Sequence, residues 1–122
     1  MLYTGSVSVA KKVKGKMHLY YLTAGRGNDA VVPDHLDLEH YKSGELTWKG
    51  FILNYRAKLL VPEADEWMRR VAAEATSKDV VLVSEEESAE SCYRKLLAEL
   101  MLNMYSGQMN LRYMGELKES ES

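Results

Sequence analysis

A chain of 122 residues is one domain by the usual size prior, large enough to bury a core without disulfide or metal support. Its formal charge of -2 argues against a general affinity for nucleic acid or anionic membrane, and its single cysteine, Cys92, excludes an intramolecular disulfide and a zinc site built on several thiols. No apolar run approaches the roughly 18 residues of a membrane span, and the opening MLYTGSVSVAKK lacks the basic-then-apolar order of a signal peptide, so a cytoplasmic location is expected.

Residues 2–9 alternate loosely, with Tyr3, Val7 and Val9 among small hydroxylated residues, and read as a first strand. Lys11, Lys12, Lys14 and Lys16 around Gly15 read as a solvated basic turn. Residues 18–22, HLYYL, are a second strand, and so short a connection leaves an antiparallel hairpin open for these two. The loop that follows carries Arg26, Gly27 and Asn28, residue types that permit an irregular backbone.

Asp34 after Pro33 marks a helix start, with Leu36, Leu38 and Tyr41 as its apolar side and Gly44 as its end. Thr47 caps a second helix that presents Phe51, Ile52, Tyr55 and Leu59. Pro62 opens a third, whose Trp67, Val71, Ala72 and Ala75 form the buried stripe. Residues 79–83 are β-branched and apolar without alternation, which suits a strand covered on both faces. After an acidic turn, a helix capped by Ser84 or Ser88 is expected to bury Ala89, Tyr93, Leu96, Leu97, Leu100, Met101 and Met104. Gly107 stops it, residues 109–117 hold the last strand, and residues 118–122, KESES, read as a disordered acidic tail. Strands alternating with helices in the second half define one three-layer α/β domain over residues 1–117, with a small, mostly parallel sheet of about four strands, mixed if the hairpin forms, and helices on both faces.

In such sheets ligands gather at the carboxyl ends of the strands, beside helix N-termini. Two segments meet there: the turn 84–88 leading into Ser91, Cys92 and Arg94, and the loop with Arg26, Gly27 and Asn28. Their hydroxyls, backbone amides and two guanidinium groups suit a small anion, since Arg binds planar oxyanions through paired hydrogen bonds. Glu85, Glu86 and Glu87 oppose one, and there is no glycine-rich phosphate loop. Cys92 is either a thiol activated by a helix start or an inert residue filling space. Glu86 is either a general acid or base or a solvated turn carboxylate. His18, His35 and His40 form no ligand set, so neither metal nor cofactor is expected. Tyr41, Trp48, Phe51 and Tyr55 read as core, with part of Trp48 left for a pocket or an oligomer interface.

With those residues in view, the chain resembles the family catalogued as domain of unknown function 488, of the short prokaryotic type. The segments LYTGS, TAGRG, YKSGELTWKGFILNY and DVVLVSEEESAESCYRKLLAE carry the likeness in order. The resemblance places the family's Cys-His-Arg on Cys92, Tyr93 and Arg94, its turn acid on Glu86, and its loop Arg-Gly on Arg26 and Gly27. Tyr93 stands where the family has histidine and Ser84 where many relatives have cysteine, so an adjacent Cys-His pair is not available here. The resemblance supports an α/β fold and brings no settled activity. Three readings follow. The first is a small anionic, nucleotide-like ligand held by Arg26, Ser84, Ser91 and Arg94. The second is an enzyme using Cys92 or Glu86 on that ligand. The third is a homodimer formed through the Trp48 and Tyr55 side or through an edge strand.

Overall fold

The computed structural model describes residues 1–23, 27–85 and 92–118. Along the chain run β1 (Leu2–Ser6), α1 (Val7–Val13), β2 (His18–Tyr21), α2 (His35–Ser43), α3 (Trp48–Lys58), α4 (Pro62–Ala75), β3 (Val80–Ser84), α5 (Tyr93–Tyr105) and β4 (Tyr113–Glu116). The strands form one sheet in the order β2-β3-β1-β4, and every pair is parallel. β3 is buried along its whole length, as its continuous apolar run requires. Val80 and Leu82 face the larger core, shared with α3, α4 and α5, whereas Val81 and Val83 face Ala10 of α1. Helices therefore cover both faces, and the three-layer α/β reading holds, with α1 as the second helical layer among the described residues.

The antiparallel hairpin does not form. β1 and β2 are separated by β3, because the stretch expected as a strand end and a basic turn is a crossover helix. Ser6 starts it: its hydroxyl accepts a hydrogen bond from the Val9 amide at 3.4 Å, and Val9 and Ala10 are buried. A crossover of this kind is what two parallel strands need.

The remaining helix starts follow their cap residues. Asp34 accepts from the amides of Leu36 and Asp37, Thr47 accepts from Gly50, Pro62 opens α4, and Gly44 ends α2 with φ of 87°. α2 buries no residue, and Leu36 is exposed, so only Leu38 and Tyr41 of its expected apolar side pack. α5 begins at Tyr93 with Cys92 as its N-cap, later than either expected serine. Its inner face is Tyr93, Arg94, Leu97, Ala98, Met101 and Tyr105. None of the helices among the described residues is long and apolar enough to cross a membrane.

Two tyrosines fix α4 to its neighbours: Tyr20 donates to Glu74, and Tyr105 donates to the Asp65 side chain and carbonyl. Burial first, and then the bond to Glu74, pushes the Tyr20 phenol from 10.0 up to about 12. Burial and Asp65 push Tyr105 to about 12 in the same way. The unfolded chain loses these protons near the ordinary value while the fold keeps them, so it binds fewer protons between the two values. This contribution to stability is complete below about pH 10 and is lost as pH rises through about 12. Urea midpoints are expected to fall across that window, and to fall less steeply in Tyr20→Phe and Tyr105→Phe.

Candidate functional site

The connections leaving β1 and β3 set where a ligand has room. From β1 the chain passes into α1, on the Val81 and Val83 face; from β3 it passes into α5, on the Val80 and Leu82 face. β1 and β3 are neighbours and the helices that follow them lie on opposite faces, the topological switch point at which open α/β sheets bind ligands. Ser6 and Ser84 are register partners there.

Arg94 anchors this end of the sheet. The residue is 0% exposed, and a buried charge is costly unless it is paired. Its Nε donates to Glu116 Oε1 at 3.0 Å, Nη2 to Glu116 Oε2 at 2.6 Å, and Nη1 to Ser84 Oγ at 2.9 Å. One guanidinium thus ties α5 to the ends of β3 and β4, through the two-pronged geometry that Arg and a carboxylate share. Beside it Thr4 Oγ1 and Tyr113 Oη lie 2.7 Å apart, and burial raises the Tyr113 phenol although the bond to Thr4 acts the other way. The charges of Glu116 and Cys92 add to the rise, which puts the thiol within electrostatic reach of this cluster. Cys92 itself is 2% exposed.

The other site residues divide clearly. Arg26, Glu86 and Ser91 lie outside the described residues. Gly27 follows β2, and its amide donates to the Thr23 carbonyl at 3.1 Å. A Cβ on Gly27 would stand 2.0 Å from the Tyr21 carbonyl oxygen, so this position needs glycine for backbone close approach. Asn28 Oδ1 accepts from the Ala30 amide at 2.9 Å, closing a local turn. Ser84 accepts from Arg94, and Arg94 is engaged with Glu116, so both act within the protein's own framework.

Sequence reasoning missed a cavity of about 230 Å³ lined by Leu38 and Lys42 of α2, Glu85 after β3 and Tyr93 of α5. It stands at the carboxyl end of β3, and its signal was Tyr93 at the helix start. That tyrosine is buried and donates to the Leu22 carbonyl at 3.1 Å. Tyr93 also closes an aromatic path: Trp48 stacks on Phe51 at 5.3 Å, and Phe51 and Tyr55 lie 6.3 and 6.0 Å from Tyr93. Tyr55 is buried with its hydroxyl on the Val31 carbonyl, so it belongs to the core and presents no surface for a dimer. Next to Leu22, Thr23 Oγ1 is buried with no hydrogen-bond partner among the described residues.

Fold and site together define a parallel α/β domain whose polar groups converge on the carboxyl edge of its sheet. Residues 31–105, more than half of the chain, match the family model described as the Active DUF488-N3 subclade, and the chain belongs to that family. The matched span runs from before α2 to the end of α5 and includes Cys92, Tyr93 and Arg94. No curated protein and no solved structure gave a significant match.

Removing either partner of the buried pair strands the other. Arg94→Ala and Glu116→Ala are each expected to cost about 3–5 kcal/mol in urea denaturation, and Arg94→Lys to recover little because it cannot span both carboxylate oxygens. Gly27→Ala is expected to lower the thermal midpoint clearly. Gly107→Ala, where an added Cβ meets nothing within 4 Å, leaves it near the wild-type value.

Proposed function

We propose that this chain is a cytoplasmic domain that binds a small anionic ligand of nucleotide-like character at the carboxyl ends of its strands. The observation that carries this reading is the switch point between β1 and β3, whose following helices lie on opposite faces, with the positive end of the 13-residue helix α5 beside it. The adjacent cavity supplies matching chemistry. Lys42 is an exposed cation, Leu38 and the Tyr93 ring offer an apolar and aromatic wall, and Glu85 accepts hydrogen bonds from hydroxyl or amino groups. A cation, an aromatic wall and an acceptor suit a ligand that joins an anionic group to a planar ring through a hydroxylated linker. Arg26, one residue before Gly27, is the second cation of this reading. Arg94 serves it by positioning Ser84 and the start of α5, since direct contact would mean giving up Glu116.

A panel of inorganic phosphate and nucleoside monophosphates tests the proposal by thermal shift. At least one is expected to raise the midpoint, and Lys42→Ala and Arg26→Ala each to weaken that ligand about tenfold, or about 1.4 kcal/mol. No shift with any of these anions, or shifts that neither variant changes, ends the reading.

A second reading is an enzyme that uses Cys92 or Glu86 on the same ligand. It is favoured by the word active in the subclade's description and by the place of Cys92 at the N-cap of α5. Burial of Cys92 opposes it. With one thiol in the chain, alkylation reports on that residue alone. Modification is expected to stay slow until the protein unfolds; rapid modification of the folded protein would move the assignment to the enzyme.

A further inference from the structure

The formal charge of -2 conceals a separation of charge along the chain. Residues 1–28 carry four lysines and one arginine and no aspartate or glutamate, an asymmetry that points to a polyanionic partner. The fold sharpens it. All four strands are parallel, and their first residues share one row, His18, Val80, Leu2 and Tyr113 in spatial order. The residues just before that row line one edge of the sheet, and three of the four strands are entered through an exposed cation: Lys16 before β2, Lys78 before β3 and Arg112 before β4. Neighbouring strands lie about 4.8 Å apart, so these cations span about 14 Å. Lys14 pairs with Met17 in an isolated bridge, which brings the end of α1, with exposed Lys11 and Lys12 in its last turn, to the same edge.

The acids of this edge already have partners. Asp79 faces the Met1 ammonium at 3.5 Å, and Glu74 is shared by His18 and Tyr20. Lys16, Lys78 and Arg112 make no ion pair or side-chain hydrogen bond among the described residues. The end of α4 does not claim their charge, since its carbonyls are taken by the Thr76, Ser77 and Lys78 amides and by the Met1 ammonium. Beside Arg112 a cavity of about 150 Å³, lined also by Met1, Ala75, Thr76 and Asn110, adds neutral hydrogen-bonding groups. We propose that this edge binds the sugar-phosphate backbone of a single-stranded nucleic acid. Spacing selects this occupant. A strand presents one charge about every 3.4 Å along its axis, so about four phosphates pass the row and meet its three cations together. A free phosphate ion meets one exposed cation at a time, and such contacts are worth little singly. A membrane surface fits less well, because segments 14–16, 76–79 and 110–112 contribute no exposed large apolar side chain to insert.

Fluorescence anisotropy of a short labelled single-stranded oligonucleotide, followed from about 50 to 200 mM salt, tests the proposal. The wild-type chain is expected to bind with log K falling against log salt at a slope of about -2, which is three phosphates at about -0.7 each. Combining Lys16→Ala, Lys78→Ala and Arg112→Ala is expected to abolish this binding with an unchanged circular dichroism spectrum, because all three side chains are exposed. Lys49→Ala, beside Trp48 on the aromatic path to Tyr93, is expected to leave affinity and slope unchanged. Phosphatidylserine vesicles are expected not to displace the oligonucleotide. No binding at the lowest salt, binding that the triple variant retains, an equal loss in Lys49→Ala, or displacement by the vesicles would overturn the proposal.

Discussion

The buried guanidinium of Arg94 is the constraint on which the site depends. A charge with no exposure has to be met in full by the protein, and Glu116 and Ser84 meet it from two different strands. The consequence reaches beyond stability. β4 is an edge strand of four residues with Gly115 in the left-handed region, a weak element by itself, and Glu116 fastens it to α5. The same bond set holds Ser84 and hence the end of β3, one of the two strands at the switch point. Because Glu116 already neutralises Arg94, the proposed anion site rests on the positive end of α5 and on cations nearer the surface, of which Lys42 is in place at the adjacent cavity.

A second constraint is topological. Ser6 ends β1 and begins α1 in a single step, which sends the chain to the face that α5 does not occupy. Had residues 7–9 continued the strand, β1 and β2 could have paired directly and the parting of the connections at β1 and β3 would not exist. A single hydroxyl cap thus links local helix initiation to the place where a ligand has room. On the other face, the aromatic path from Trp48 to Tyr93 connects the helices before β3 to the helix after it, and the Tyr93 hydroxyl on Leu22 adds the end of β2. Core packing and the geometry of the strand ends are therefore carried by shared side chains.

Much of this was legible in the residues. Asp34, Gly44, Thr47 and Pro62 each mark a helix boundary by a mechanism that acts within a few residues, and the structure places the boundaries there. The uninterrupted run in β3 announced burial on both faces. On α5 the expected stripe was right in part. Tyr93, Leu97 and Met101 are buried, Leu96 and Leu100 pack at the margin of the core, and Met104 is exposed. Arg94, Ala98 and Tyr105 complete the buried side, Arg94 because Glu116 and Ser84 are available to it there. The 7–13 stretch fits both a strand and a helix, and nothing short of the Ser6 cap separates them. The need for glycine at position 27 comes from the Tyr21 carbonyl, a close approach that residue spacing does not express. The Cys92, Tyr93, Arg94 triplet was visible as a family motif, yet its tyrosine and arginine work here as a core anchor and a buried tie.

The most direct measurement is an amide chemical-shift titration of the folded protein with inorganic phosphate. Saturable shifts are expected at Ser6, Ser84, Glu85, Cys92 and Tyr93, with Lys42 responding and the opposite end of the sheet silent. That opposite end carries its own cations, the Met1 ammonium and Arg112, around a separate cavity. Shifts confined to Met1, Thr76 and Arg112, or no saturable shifts at all, would contradict a ligand site at the strand carboxyl ends.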